Sequence, residues 1–87
     1  MTQESVVIKN ETGLHARPAS MLVEEAENYE AQVQLIYDDQ EINAKSIMGV
    51  MSLGINQSEE ITIAAEGEDE AEAVTGLVNL IESGFAK

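Results

Sequence analysis

Cysteine and tryptophan are absent from this 87-residue chain, proline and histidine each occur once, and only four side chains are basic. Without cysteine there is no disulfide framework and no thiolate metal site, and a reducing compartment is compatible with the composition. A single histidine, with no evident convergent carboxylate cluster, leaves a protein-built zinc site without its usual ligands, so neither metal nor cofactor is expected. No run approaches the ~20 apolar residues of a membrane span, and the segment from Met1 to Ile8 lacks the basic start and apolar stretch of a secretory leader. A cytoplasmic location without membrane insertion is therefore expected.

Seventeen acidic side chains set against the four basic ones give a formal charge of -13. Most of such a surface repels phosphate backbones, so direct nucleic-acid binding is not expected. The acidity reads first as a solvated, solubility-promoting surface and second as a match for a basic partner. With 44% hydrophobic residues the chain suffices for one compact domain, residues 1–87, with a modest core. It shows no internal repeat, low-complexity segment or linker.

The periodicity predicts seven elements. Ser5 to Lys9 places Val6 and Ile8 on one face of a strand with Val7 opposite, and Asn10 to Leu14 reads as a loop. From Pro18 onward, Ala19, Leu22, Val23 and Ala26 recur at helical spacing while Ser20, Glu24, Glu27 and Asn28 turn to water. Pro18 suits the first turn, where a missing N–H is no loss. Gln32 to Asp38 alternates through Val33, Leu35 and Tyr37, and Asp38-Asp39-Gln40 predicts a hairpin turn into a short strand around Glu41 to Asn43. Ser46 caps a helix of one to two turns that Gly54 closes. Glu60 to Ala65 forms a fourth strand, and Gly67-Glu68 turns the chain. Asp69 with Glu72 predicts an acidic capping box for a last helix that buries Val74, Leu77, Val78 and Ile81 and stops at Gly84. Gly76 inside that helix predicts a close packing contact. The order predicts an α+β fold: one sheet with helices on one face.

His15 stands where the loop meets the first helix. A helix amino end presents unpaired N–H groups and partial positive charge, Ala16 supplying the first of those groups, so an imidazole there can receive a phosphoryl group whose oxygens the main chain then binds. The positive helix end and the nearby Arg17 disfavour the imidazolium and leave more of the neutral, nucleophilic ring. Phosphoryl transfer asks chiefly for positioning and charge stabilisation, so no further catalytic group is needed if a donor enzyme supplies the rest. A serine hydrolase fits poorly, because Ser20 lies on a helix and not on a strained elbow.

Ser46 is explained by capping alone, yet Ile47, Met48 and Met51 cannot all turn inward on a helix so short. Exposed methionine-rich surface suits docking to several partners. A phosphate on Ser46 would suit the helix start while placing about two negative charges beside that patch, repelling a partner that met it with carboxylates.

The run Gly13-Leu14-His15-Ala16-Arg17-Pro18-Ala19 resembles the active-centre motif of HPr, the histidine-containing phosphocarrier family of the bacterial phosphoenolpyruvate-dependent sugar phosphotransferase system. Lys45-Ser46-Ile47-Met48-Gly49-Val50-Met51-Ser52-Leu53 resembles the regulatory motif of its Gram-positive members. The resemblance spans essentially the whole chain. It implies an open-faced sandwich, a four-stranded antiparallel sheet in the order 1-4-2-3 with three helices on one face. It further implies that His15 accepts a phosphoryl group on Nδ1 from phosphorylated enzyme I, assisted by Arg17, and passes it to IIA domains of sugar permeases. In this reading the protein is a stoichiometric carrier, not a turnover enzyme, and by default a monomer. Ser46 is the implied target of HPr kinase/phosphorylase, its phosphorylated form a corepressor for a catabolite control protein, and Ile47, Met48 and Met51, with Ser20, the implied docking surface.

Two departures accompany the resemblance. Many members carry basic residues on the first helix facing an acidic surface of enzyme I, whereas Glu24, Glu25 and Glu27 stand here; steering toward such a surface is expected to be weaker, or the partner altered. The stretches Asn43-Ala44-Lys45-Ser46 and Gly67-Glu68-Asp69-Glu70 look like Crh, the regulatory paralogue without the active histidine. They imply, as the alternative, a regulatory protein acting mainly through phosphorylated Ser46.

Overall fold

A computed structural model describes residues 1–85. Its elements in chain order are β1 (Thr2–Val7), α1 (Ala16–Glu27), β2 (Gln32–Tyr37), β3 (Gln40–Asn43), α2 (Ile47–Ser52), β4 (Glu60–Glu66) and α3 (Glu70–Glu82). The four strands form one sheet in the order β1-β4-β2-β3, every neighbouring pair antiparallel. The expected α+β sandwich with strand order 1-4-2-3 and three helices is the fold observed.

Alternation places the core. Val6, Val33, Leu35, Ile61, Ile63 and Ala65 point from the sheet into the layer where α1 contributes Ala19, Leu22, Val23 and Ala26, and α3 contributes Val74, Leu77, Val78 and Ile81. The intervening Ser5, Gln34 and Thr62 lie on the uncovered face, where Ser5 and Thr62 approach across the β1–β4 pair. Burying large aliphatic side chains stabilises by about 1.5–3 kcal/mol each, so this single layer dominates the folding energy. None of the helices of the described residues is long and apolar enough to cross a membrane.

Four local expectations are revised. β1 begins at Thr2, not at Ser5, and its ladder with β4 ends at Val7↔Glu60. It is an edge strand whose Gln3, Glu4 and Ser5 are exposed, so backbone pairing creates half of it without any hydrophobic period. Ile8 stays buried beyond the ladder, its N–H donating to Glu59 O at 2.9 Å and its carbonyl accepting from Ser58 N at 2.8 Å. α1 begins two residues before Pro18, with His15 as its N-cap. The hairpin turn is the two residues Asp38 and Asp39, at φ 51° and 66°, so Gln40 already opens β3 opposite Tyr37. Two positive-φ residues are the arrangement whose twist matches paired strands, and aspartate tolerates it better than most side chains.

The capping box at Asp69 and Glu72 does not form. Asp69 is the N-cap of α3, but its carboxylate makes no cap bond and instead accepts from Glu30 N at 2.9 Å and Ala31 N at 2.8 Å. The chain between α1 and β2 turns there with two amides lacking helix or sheet partners, and the carboxylate satisfies both. Glu70 takes over the reach-back, accepting from Gly67 N at 3.1 Å while its other oxygen accepts from Thr2 Oγ1 at 2.6 Å and pairs with the Met1 amine at 3.2 Å. At Gly76 the expected close contact is present: a methyl group there would overlap the Tyr29 hydroxyl and stand 2.8 Å from the Glu25 carboxylate, both side chains of α1 or its end.

The Thr2 hydroxyl foremost, then the Gly67 N–H and the Met1 amine, hold the Glu70 carboxyl down to about 2 from its ordinary 4.5. Asp69 is lowered too, by the Glu30 N–H first and also by that of Ala31. A carboxyl depressed on folding contributes stability above its unfolded pKa and loses it as pH falls through the folded value. Urea unfolding from pH 7 to pH 2 is expected to show a steep loss of midpoint below about pH 4.5. In Glu70→Gln the midpoint at pH 7 drops and that acid limb flattens; an unchanged limb would remove Glu70 from the account.

Candidate functional site

α1 starts immediately after His15. The histidine has extended backbone, φ -91° and ψ -163°, and its carbonyl accepts from Ala19 N at 2.8 Å, closing the first helical turn. Its side chain makes no cap bond and the residue is exposed. Of the first three helical residues, Pro18 has no N–H, so the intrahelical ladder leaves the amides of Ala16 and Arg17 without acceptors. They lie beside an exposed imidazole, with the exposed Arg17 adding a permanent cation.

A surface depression of about 450 Å³ gathers His15, Ala16, Arg17 and Pro18 with Asn10 and Thr12 from the preceding loop and Met21, Gly84 and Phe85. The loop residues and the carboxyl-terminal wall were not legible in sequence. Gly84 reads as a helix stop, but that the chain then folds back beside the start of α1 depends on Phe85, at φ 64°, whose N–H bonds Leu80 O at 3.0 Å and whose ring is buried.

The loop before His15 is tightly seated. Asn10 Nδ2 donates to Gly13 O at 2.8 Å and Gly13 N donates to Asn10 O at 3.1 Å, while Leu14, buried, donates its N–H to Ile55 O at 3.0 Å. Gly13 is at φ 65°, and a side chain there would drive into Ile55 O and approach Asn56 Cα to 2.9 Å. Both its conformation and its contacts demand glycine.

α2 leads from the second candidate site to the first. Ser46 caps its start, its Oγ accepting from Gly49 N at 3.1 Å, and beyond its end Ile55 rests against Gly13 and Leu14. His15, Ala16 and Arg17 are thus brought together, while Ser46 is separated from them by a helix about 9 Å long. Only Val50 of α2 is buried; Ile47, Met48 and Met51 are 42%, 82% and 41% exposed, a continuous apolar outer face. Ser20, half-buried, lies on α1, which packs against α2. Glu24 and Glu27 face solvent, whereas Glu25 turns to the other flank and accepts from the Tyr29 hydroxyl at 2.8 Å.

An exposed imidazole at a helix start, beside an arginine and two amides unpaired among the described residues, has the groups needed to hold an oxyanion, and residues 2–83 match the family model described as the PTS HPr component phosphorylation site. The chain belongs to the HPr family, the phosphocarriers of the phosphotransferase system. It is similar to HPr-C-His of Thermoanaerobacter tengcongensis, with 48% identity over 100% of this chain and 98% of that one and a TM-score of 0.96. The phosphocarrier HPr of Bacillus anthracis matches at 41% identity over 92% of this chain and 95% of its own, TM-score 0.89. Crh of Bacillus subtilis, a catabolite repression protein found as a swapped dimer, matches at 41% over 100% of both chains, TM-score 0.78.

Gly13→Ala is expected to cost about 2–4 kcal/mol of stability, combining a strained φ with overpacking against Ile55 and Asn56. Chemical denaturation measures it, and a loss below about 0.5 kcal/mol would show that the loop yields easily.

Proposed function

We propose that His15 is the phosphoryl acceptor and donor of this chain, and that the amide of Ala16 and the guanidinium of Arg17 stabilise the phosphorylated state. The observation that carries this reading is the exposed His15 as N-cap of a helix whose first two amides have no acceptor among the described residues. The neutral ring attacks phosphorus with the lone pair of Nδ1; the new P–N bond forms as the donor's bond to phosphorus breaks, and the donor keeps that electron pair. Transfer onward is the reverse act with a second acceptor. Arg17 and the amides meet the oxygens where negative charge concentrates, without reorganising at the moment of transfer.

The donor in this reading is phosphorylated enzyme I and the acceptors are IIA domains of sugar permeases, both meeting the depression around His15 and the exposed Ile47, Met48 and Met51, with Ser20 at their edge. The chain is consumed and regenerated as a carrier in the cytoplasm and is not an enzyme in the turnover sense. A monomer is the default of this reading, beside a dimer such as that of the related Crh. Ser46 is the regulatory position: HPr kinase/phosphorylase would add to its hydroxyl a phosphate suited to the start of α2, changing the charge of the docking face and selecting a catabolite control protein over the sugar-transport partners. The full-length similarity to Crh favours, as a second reading, a protein acting mainly through that state. Normal growth on a phosphotransferase sugar after deletion of the gene would select the second reading.

Incubation with phosphoenolpyruvate and enzyme I of the same organism is expected to give an acid-labile adduct that His15→Ala cannot form; an adduct persisting in that variant would displace the site. Arg17→Ala is expected to slow the transfer about 10- to 100-fold, the effect of one lost charge-stabilising group. A rate within twofold of the parent would exclude Arg17.

A further inference from the structure

The segment from Ile55 to Glu59 is the platform on which the His15 loop rests, and it meets both ends of that loop. At the near end, Ile8 exchanges backbone bonds with Glu59 O at 2.9 Å and Ser58 N at 2.8 Å, and Gln57 Nε2 donates to Lys9 O at 3.1 Å. At the far end, Ile55 O accepts from Leu14 N at 3.0 Å, one residue before His15, and Gly13 packs directly on Ile55 and Asn56. The platform therefore holds Gly13 and Leu14, the two residues that lead into His15.

The platform does not hold its shape by local preference. Ser58 is at φ 75°, a left-handed conformation that a residue with a side chain adopts at a cost, and the turn's own bond, Glu59 N to Asn56 O, is long at 3.3 Å. What closes it is one carboxylate: Glu59 Oε2 accepts from Asn56 N at 2.6 Å, while Oε1 accepts from the hydroxyl of Tyr37 at the end of β2. The Tyr37 hydroxyl foremost, then the Asn56 N–H, lower the Glu59 carboxyl, which is therefore ionised and able to accept from both at neutral pH. The carboxylate ties a strained turn to the sheet, and the turn carries the loop of the phosphorylated residue.

We infer that Glu59, anchored by Tyr37, is a positioning residue for His15, setting the height of the Gly13–His15 loop over the vacant amides of α1. The inference rests on the reading of His15 as phosphoryl acceptor, but the brace itself has a separate readout. Transfer geometry is sensitive to sub-ångström misplacement, so a loosened platform lowers the rate of the chemical step more than it alters docking on the outer face of α2.

The test uses the full chain with Glu59→Gln and, as a milder second variant that keeps the carboxylate, Tyr37→Phe. Single-turnover phosphorylation of His15 by phosphorylated enzyme I, well below the melting temperature of each variant, is expected to slow about three- to tenfold in Glu59→Gln with apparent KM little changed. Tyr37→Phe is expected to fall in the same direction by less, and the double variant to add little to Glu59→Gln, because both act through one carboxylate. Amide hydrogen exchange, which needs no phosphorylation, is expected to accelerate at Leu14 and Asn56 and to stay unchanged in the β2–β4 ladder. Variants that melt earlier yet keep parental transfer rate and parental exchange at Leu14 would overturn the inference, reducing Glu59 to a stabilising contact. Exchange that accelerates while even the parent accepts no phosphoryl group on His15 would uphold the brace and overturn the reading of the histidine.

Discussion

A helix that begins directly after a histidine, with proline at its third position, has two amide donors that no acceptor satisfies among the described residues. In the interior such donors would be a liability of about 1–3 kcal/mol each. At the surface water satisfies them cheaply, and an oxyanion bound covalently next door satisfies them better. The remaining architecture keeps this helix start exposed and aligned: α1 is pinned to the sheet by Ala19, Leu22, Val23 and Ala26, and its approach is fixed by Gly13 and the buried Leu14.

The acidic surface is compatible with that design because it is unevenly placed. Arg17 stands at the site and Lys9 in the loop leading to it, while Glu68, Asp69, Glu70 and Glu72 gather at the start of α3. Asp69 there binds the amides of Glu30 and Ala31 beyond the far end of α1. A cation stands at that end too, Lys45 Nζ donating to Tyr29 O at 2.8 Å, so the two ends of α1 differ in their backbone donors, which are bound by the Asp69 carboxylate beyond its end and left without a partner among the described residues at its start. With a screening length of about 10 Å at 0.1 M salt, the distant acids weigh little on a phosphoryl group at His15.

Legibility in sequence followed the physics of each element. α1 and α3 were readable because their buried positions recur at helical spacing, and β2 and β4 because Val33, Leu35, Ile61 and Ile63 alternate. The amino half of β1 was not, since an edge strand of Gln3, Glu4 and Ser5 gains its structure from β4 and carries no period of its own. Ser46 read correctly as a cap because the capping bond is local, whereas Asp69 did not, because its carboxylate is claimed by amides 38 and 39 residues away. His15 and Arg17 were legible from their junction. The depression's far wall at Phe85 and the Tyr37–Glu59 tie beneath the loop were not, since neither joins residues that any pattern along the chain relates.

The central claim is that the vacant amides at the start of α1 receive the oxygens of a phosphoryl group carried by His15. Amide NMR of the protein before and after phosphorylation by enzyme I tests it most directly. The account predicts large downfield shifts for the N–H resonances of Ala16 and Arg17, with small changes elsewhere in α1. Resonances of those two amides that stay in place while the largest shifts fall on another element would contradict it.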